Sequence, residues 1–244
     1  MPQFHVDRRA LLALGAAACA VPLASSAADF TGAGMIWQAN QAAYPTAVDL
    51  TAHYTFFTPA EAAFVEAACG RLIPSDAIGP GAVEAGVPLF LDRQLAGDYG
   101  KGARWYMQGP WPKGLPTQGY QSRHPPAELY RVAIGEIDQA AGAGFASLSA
   151  ADQDAFLKRL EAGTVTLATV DAKAFFALLL QNVMEGFFSD PVYGGNRGMA
   201  GWRMIGFPGA RYDYRPYLLR YGQPFPLPPT AIAGRAAWSP AGRS

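Results

Sequence analysis

The sequence predicts a mainly α fold: an irregular single-domain helical body around one central apolar helix, with long extended loops and a proline-rich tail. Three observations predict it. Apolar residues recur at helical spacing in five separate segments, while no stretch alternates as a strand would and no internal repeat is visible. Twenty prolines and 27 glycines require long irregular connections that lie on other surfaces. Finally, the segment D-A-K-A-F-F-A-L-L-L-Q-N-V-M-E-G-F-F-S-D, residues 171–190, is so apolar that other elements are expected to wrap it. On a helical wheel Asp171, Gln181, Asn182, Glu185 and Ser189 fall on one narrow stripe, with Lys173 outside it. The apolar run is too short and too interrupted to span a bilayer.

The N-terminus is an address. Arg8 and Arg9 precede an uncharged Ala/Leu-rich run from Ala10 to Leu23, and Ser25-Ser26-Ala27 offers a small-residue cleavage site. This predicts a twin-arginine export signal over residues 1–28, a mature domain over 29–244 and a periplasmic destination. The arginine pair also fits an ordinary secretory leader. A lipoprotein reading through Cys19 lacks the usual leucine, since Ala16-Ala17-Ala18 precede it.

In the mature chain, residues 29–57 scatter aromatics among small polar residues and read as an extended arm. Thr58-Pro59-Ala60-Glu61 is a helix start: threonine cap, proline in the first turn, glutamate three residues on. That helix reaches about Arg71 and presents Phe64, Val65, Ala68, Cys69 and Leu72 to the core. Cys69 is the sole cysteine once the leader is removed, so no internal disulfide is available. A buried small apolar residue is one reading of it, a bond to another chain the other. Residues 74–86 form a turn in which Asp76 and Glu84 are expected to cap backbone, there being no further metal ligands nearby.

A second helix over 88–96 buries Phe90, Leu91 and Leu95. Residues 98–126 then run without a period and hold Trp105, Tyr106, Met107, Trp111 and Tyr120 among Gly, Pro and Arg. Such a loop is either partner-facing or folded back over its own helices. A third helix covers 127–139. Ser149 caps a fourth, which Gly163 ends, and the central helix follows. From Tyr212 the tail reads Y-R-P-Y-L-L-R-Y-G-Q-P-F-P-L-P-P, an extended strap across a neighbour or a disordered end.

Behind the central helix lies D-P-V-Y-G-G-N-R-G-M-A-G-W-R-M-I-G-F-P-G-A-R, residues 190–211. Arg197, Arg203 and Arg211 supply rigid charged forks; Tyr193, Trp202 and Phe207 supply flat apolar faces. The loop is either structural, its arginines reaching helix ends or Asn182 and Glu185, or it faces a partner. D-P-x-Y-G-G-N-R followed by G-W and I-G-F-P-G resembles the gluconate 2-dehydrogenase subunit 3 family. F-T-P-A-E-x-x-F…R-L-I-P-S-D, from Phe57 to Asp76, extends the resemblance to the other end of the domain.

The resemblance implies the small subunit of an exported, FAD-dependent sugar or sugar-acid dehydrogenase. FAD would sit in the large subunit, and a multihaem cytochrome c subunit would carry haem c and take the electrons. It also implies that this chain bears the export signal for a leaderless flavoprotein partner and meets the twin-arginine translocase. A chain without its own cofactor using a route for folded proteins fits the same escort role.

Formal charge is zero, with 19 basic and 19 acidic residues, so bulk charge gives no electrostatic footprint for nucleic acid or an anionic membrane, and neither is the expected partner. No cofactor motif is present. The glycines from 195 to 201 lack the G-x-G-x-x-G spacing and follow a helix instead of a strand. There is no C-x-x-C-H, no G-x-S-x-G, and only His53 and His124 in the mature chain. Glu128, Glu136 and Asp138 read as solvated helix charge.

The expectation is a non-catalytic chain with no cofactor or metal, whose partner contacts are Trp105, Tyr106, Trp111, Tyr193, Arg197, Trp202 and Arg203. The alternatives are a stand-alone exported binder gripping a small anion with Arg197 and Arg203, an enzyme with an unrecognised site, or contact with a second copy of the chain.

Overall fold

The computed structural model describes residues 53–112, 114–211 and 213–232. The export signal with Arg8 and Arg9, Cys19 and the arm before His53 lie outside them. Helix α1, Pro59–Leu72, begins with the expected reciprocal cap: Glu61 N donates to Thr58 Oγ1 at 3.3 Å and Thr58 N to Glu61 Oε2 at 2.8 Å. Helix α2 is Val87–Ala96, α3 is Pro126–Ala140 and α4 is Ala150–Ala162. Ser149 caps α4, and Gly163 ends it in the left-handed region at φ 70°. Helix α5, Ala172–Phe188, is capped by Asp171, whose Oδ1 accepts from Ala174 N at 2.8 Å; a short α6, Ala200–Met204, follows. Among the described residues there are no strands, only one isolated bridge.

Helix α5 touches each of the other five helices and is the post of the fold. Phe175, Phe176, Leu179, Val183 and Phe187 face the core, where Tyr130 meets Phe175 edge-on at 5.3 Å. Phe145 fills the space between α1 and α4, against Phe64 at 5.1 Å and Phe156 at 5.9 Å. Cys69 is a buried free thiol in this core.

The wheel misplaced one residue of the polar stripe. Asn182 is buried: its Oδ1 accepts from Tyr99 Oη and its Nδ2 donates to Tyr130 Oη, both at 3.0 Å. The exposed face of α5 instead follows Ala174, Ala177, Gln181, Met184 and Phe188, so the helix is wrapped on one side only. Gln181 and Glu185 pair with each other along that face at 2.8 Å.

A buried carboxylate closes the N-terminal edge. Asp92 is fully inaccessible, and its two oxygens accept from Thr55 N, Thr55 Oγ1, Phe56 N and Phe57 N at 2.8–3.0 Å. Arg93 Nη1 pairs with it at 2.7 Å and also reaches Thr55. One α2 residue therefore holds the chain entering α1.

Burial pushes the Tyr130 phenol well above its ordinary value of 10.0, and burial followed by the Glu66 charge raises the Cys69 thiol above 9.0. Burial raises Tyr99 as well, and pushes Tyr120 up to about 12. These groups hold their protons more tightly folded than unfolded. Their contribution is complete below the ordinary values and is lost as pH climbs past them. Tm should therefore fall as pH rises above about 10, with tyrosinate absorbance appearing together with unfolding. Full ionisation of the tyrosines in a still-folded protein would contradict the arrangement.

Candidate functional site

The loop after α5 folds under tight constraints. Asp190 Oδ1 accepts from Val192 N at 3.0 Å, opening a 3-10 turn at Pro191–Tyr193. The chain then crosses the end of α5 so closely that a Cβ on Gly195 would lie 2.2 Å from Gly186 O. Asn196, fully buried, adopts φ 48° and uses its amide as a two-sided clasp: Nδ2 donates to Ser189 O and Oδ1 accepts from Gly201 N, both at 2.8 Å. The motif G-G-N-R thus turns the chain back and launches α6.

Arg197 N donates to Ala85 O at 3.0 Å. Its side chain lies against Gly86, which has φ 80° and where a Cβ would come within 2.5 Å of Arg197 Nε. The arginine runs into the turn before α2. Trp202 is covered by its own chain, 5% exposed, with Nε1 donating to Phe188 O at 2.8 Å and Phe207 edge-on at 5.1 Å. Little of its indole is left for another polypeptide. Tyr193 and Arg203 are exposed.

The tail folds back on this loop. Ala210 N donates to Thr230 O at 2.6 Å, Thr230 N to Pro208 O at 3.3 Å, and Ile232 N to Asp190 Oδ2 at 2.6 Å. Arg211 reaches Pro208 O and Pro228 O. Residues 228–232 therefore strap the chain's own Gly/Arg loop.

The loop between α2 and α3 does two things at once. Tyr99, Trp105 and Tyr120 form an aromatic ladder, with ring centroids 5.7 and 4.8 Å apart, and Tyr120 Oη donates to His124 O at 2.6 Å. Outside the ladder Tyr106 is 80% and Trp111 40% exposed, while Trp105 keeps 37%. With Met107 and Tyr120 they line a cleft of about 320 Å³. The ladder ties this cleft to the core through the Tyr99–Asn182 hydrogen bond.

A second groove, about 580 Å³, lies beside α1 and is lined by His53, Tyr54, Phe57, Glu66, Leu89 and Arg197 among others. Tyr54 Oη donates to Glu66 there at 2.5 Å. Arg203 is not among its lining residues, so this groove does not unite the two arginines required of an anion binder. His124 pairs with Glu128 at 2.9 Å, while His53 belongs to the groove. Asp76 accepts from Ile78 N and Gly79 N, the capping role expected of it. Among the described residues no cluster of three or more His, Cys, Asp or Glu could hold a metal ion.

Asp92, Asp190 and Asn196 are the organising residues that sequence reasoning passed over. A signal existed for Asp92, a lone acid on the face of α2 otherwise formed by Leu91 and Leu95. Another existed for Asn196, the residue type after glycine that best tolerates the left-handed region.

A family model described as gluconate 2-dehydrogenase subunit 3 matches residues 59–209. The matched stretch runs from the first residue of α1 to the glycine paired with the tail, and so includes all six helices and the Gly/Arg loop up to Gly209. Neither a curated protein nor a solved structure matches the chain. With well over half its length under one family model, the chain belongs to the gluconate 2-dehydrogenase subunit 3 family.

Proposed function

We propose that this chain is the non-catalytic small subunit of a periplasmic FAD-dependent sugar or sugar-acid dehydrogenase. It stabilises the flavoprotein and escorts it through the twin-arginine route, a multihaem cytochrome c subunit takes the electrons, and the chain is membrane-associated through the complex. FAD and haem c belong to those partners. The observation that carries the reading is the exposed aromatic cleft of Trp105, Tyr106 and Trp111, set on a rigid ladder within a domain of this family. Large, pre-ordered aromatics with little conformational entropy to lose are the residues that anchor protein interfaces. Tyr193, Arg197 and Arg203 extend the proposed contact, with Trp202 supporting it from beneath.

The test is co-expression with an FAD-dependent dehydrogenase large subunit as the partner. Replacing Arg8-Arg9 by Lys-Lys should leave the flavoprotein in the cytoplasm, and its continued export would end the escort reading. Trp105→Ala combined with Trp111→Ala should lower co-purification by about 100-fold or more, taking at least 1.4 kcal/mol per anchor. Undiminished co-purification would move the interface elsewhere.

A further inference from the structure

The stretch between the paired segments 208–211 and 228–232 is a finger closed at its base. Gly209 bridges to Thr230, and Tyr214 Oη donates to Gly209 O at 2.6 Å. Phe225 forms its inner wall, in ring contact with Tyr217 at 4.5 Å and under the Arg211 guanidinium at 5.2 Å. Successive turn hydrogen bonds shape the tip: Tyr217 N to Tyr214 O, Leu218 N to Arg215 O and Arg220 N to Tyr217 O.

This ordered tip points apolar side chains into water. Leu219 is 90% and Tyr221 86% exposed, and Leu218 is exposed beside them. Arg215, paired with Asp213 through two hydrogen bonds at 2.9 and 3.0 Å, and Arg220 flank them, and between residues 208 and 232 three arginines stand against that single acid. The even charge of the whole chain hides this local excess.

We infer that the finger is a membrane-contact element: Leu218 and Leu219 enter the acyl boundary of an anionic bilayer, Tyr221 sits at headgroup level, and Arg220 meets lipid phosphate. The charge points to this occupant, since every cation of the finger is an arginine and the surface it complements is rich in phosphate. The arrangement agrees: a narrow protruding apolar tip with a collar of tyrosine and arginine suits an interface graded from hydrocarbon to headgroup. The finger lies beyond the family match, which ends at residue 209. The inference goes past the proposed function, in which this chain is membrane-associated only through the complex.

The test is sedimentation of the full chain with phosphatidylcholine vesicles, with and without about a third phosphatidylglycerol. Comparison is with Leu218→Ser/Leu219→Ser and with Arg220→Gln, all carrying the same N-terminal segment. Circular dichroism melts should match wild type, because the substituted side chains are exposed. Partitioning onto anionic vesicles should fall about tenfold or more in the double leucine variant. It should fall about fivefold in Arg220→Gln, and added salt should weaken the wild type. Wild-type-like partitioning of the leucine variant overturns the inference, as does equal partitioning onto neutral vesicles. Loss of flavoprotein co-purification by the finger variants, with vesicle binding intact, assigns the tip to a protein partner and overturns it too. Co-purification reports on the proposed function and sedimentation on the finger, so either can fail alone.

Discussion

Asp92→Ala is expected to destabilise the protein by about 3–5 kcal/mol, the range for removing one partner from a buried, hydrogen-bonded ion pair. The substitution strips the acceptor from Thr55 N, Phe56 N and Phe57 N and leaves Arg93 without its carboxylate. Buried donors without partners cost more than the lost bonds themselves. Asp92→Asn keeps one acceptor but turns donors toward donors, so an intermediate loss is expected. Urea titration of the two variants reads the difference, and proteolysis near residues 53–58 reports where the fold opens. A thermal midpoint for Asp92→Ala, read by circular dichroism melting, within about 2 °C of wild type would mean that this edge is held by packing alone.

Asn196→Ala is expected to release the Gly/Arg loop at a cost of about 2–4 kcal/mol. About 1–2 kcal/mol comes from forcing alanine to φ 48°, and the rest from leaving Ser189 O and Gly201 N unpaired in a buried site. Asn196→Gly removes the backbone strain but not the lost bonds, so it should fall between alanine and wild type. Tryptic cleavage after Arg197 is the sensitive readout, because opening of the loop exposes that bond before the core melts. Unchanged cleavage in Asn196→Ala would show that Asp190 and the tail strap suffice to hold the loop. The same variant should bind the flavoprotein more weakly while keeping its helical spectrum, since α1 to α5 do not depend on the clasp.

Helix positions were legible in the sequence because their signals are local. Thr58-Pro59 with Glu61, and Ser149 with Gly163, each satisfy backbone groups within one turn, and each appears as an observed cap. The buried state of Cys69 followed from its neighbours at helical spacing. The polar residues of the core were not legible. A wheel assigns Asn182 to a side by its polarity, but its partners Tyr99 and Tyr130 lie 83 and 52 residues away. Asp92 is likewise used by a segment at least 35 residues before it. For the candidate site, the sequence marked both aromatic stretches but could not separate the sheltered Trp202 from the exposed Tyr106 and Trp111.

The sequence by itself determined a mainly α domain of the gluconate 2-dehydrogenase subunit 3 family, with its helices, their caps and the Gly/Arg motif in place. Those features depend on hydrogen bonds and apolar spacing within a few residues. Only the tertiary structure decided that the proline-rich tail returns to strap its own loop, that Asn182 and Asp92 belong to the interior, and which aromatics still face solvent. Burial is a property of what another segment covers, and the covering segments here come from far along the chain.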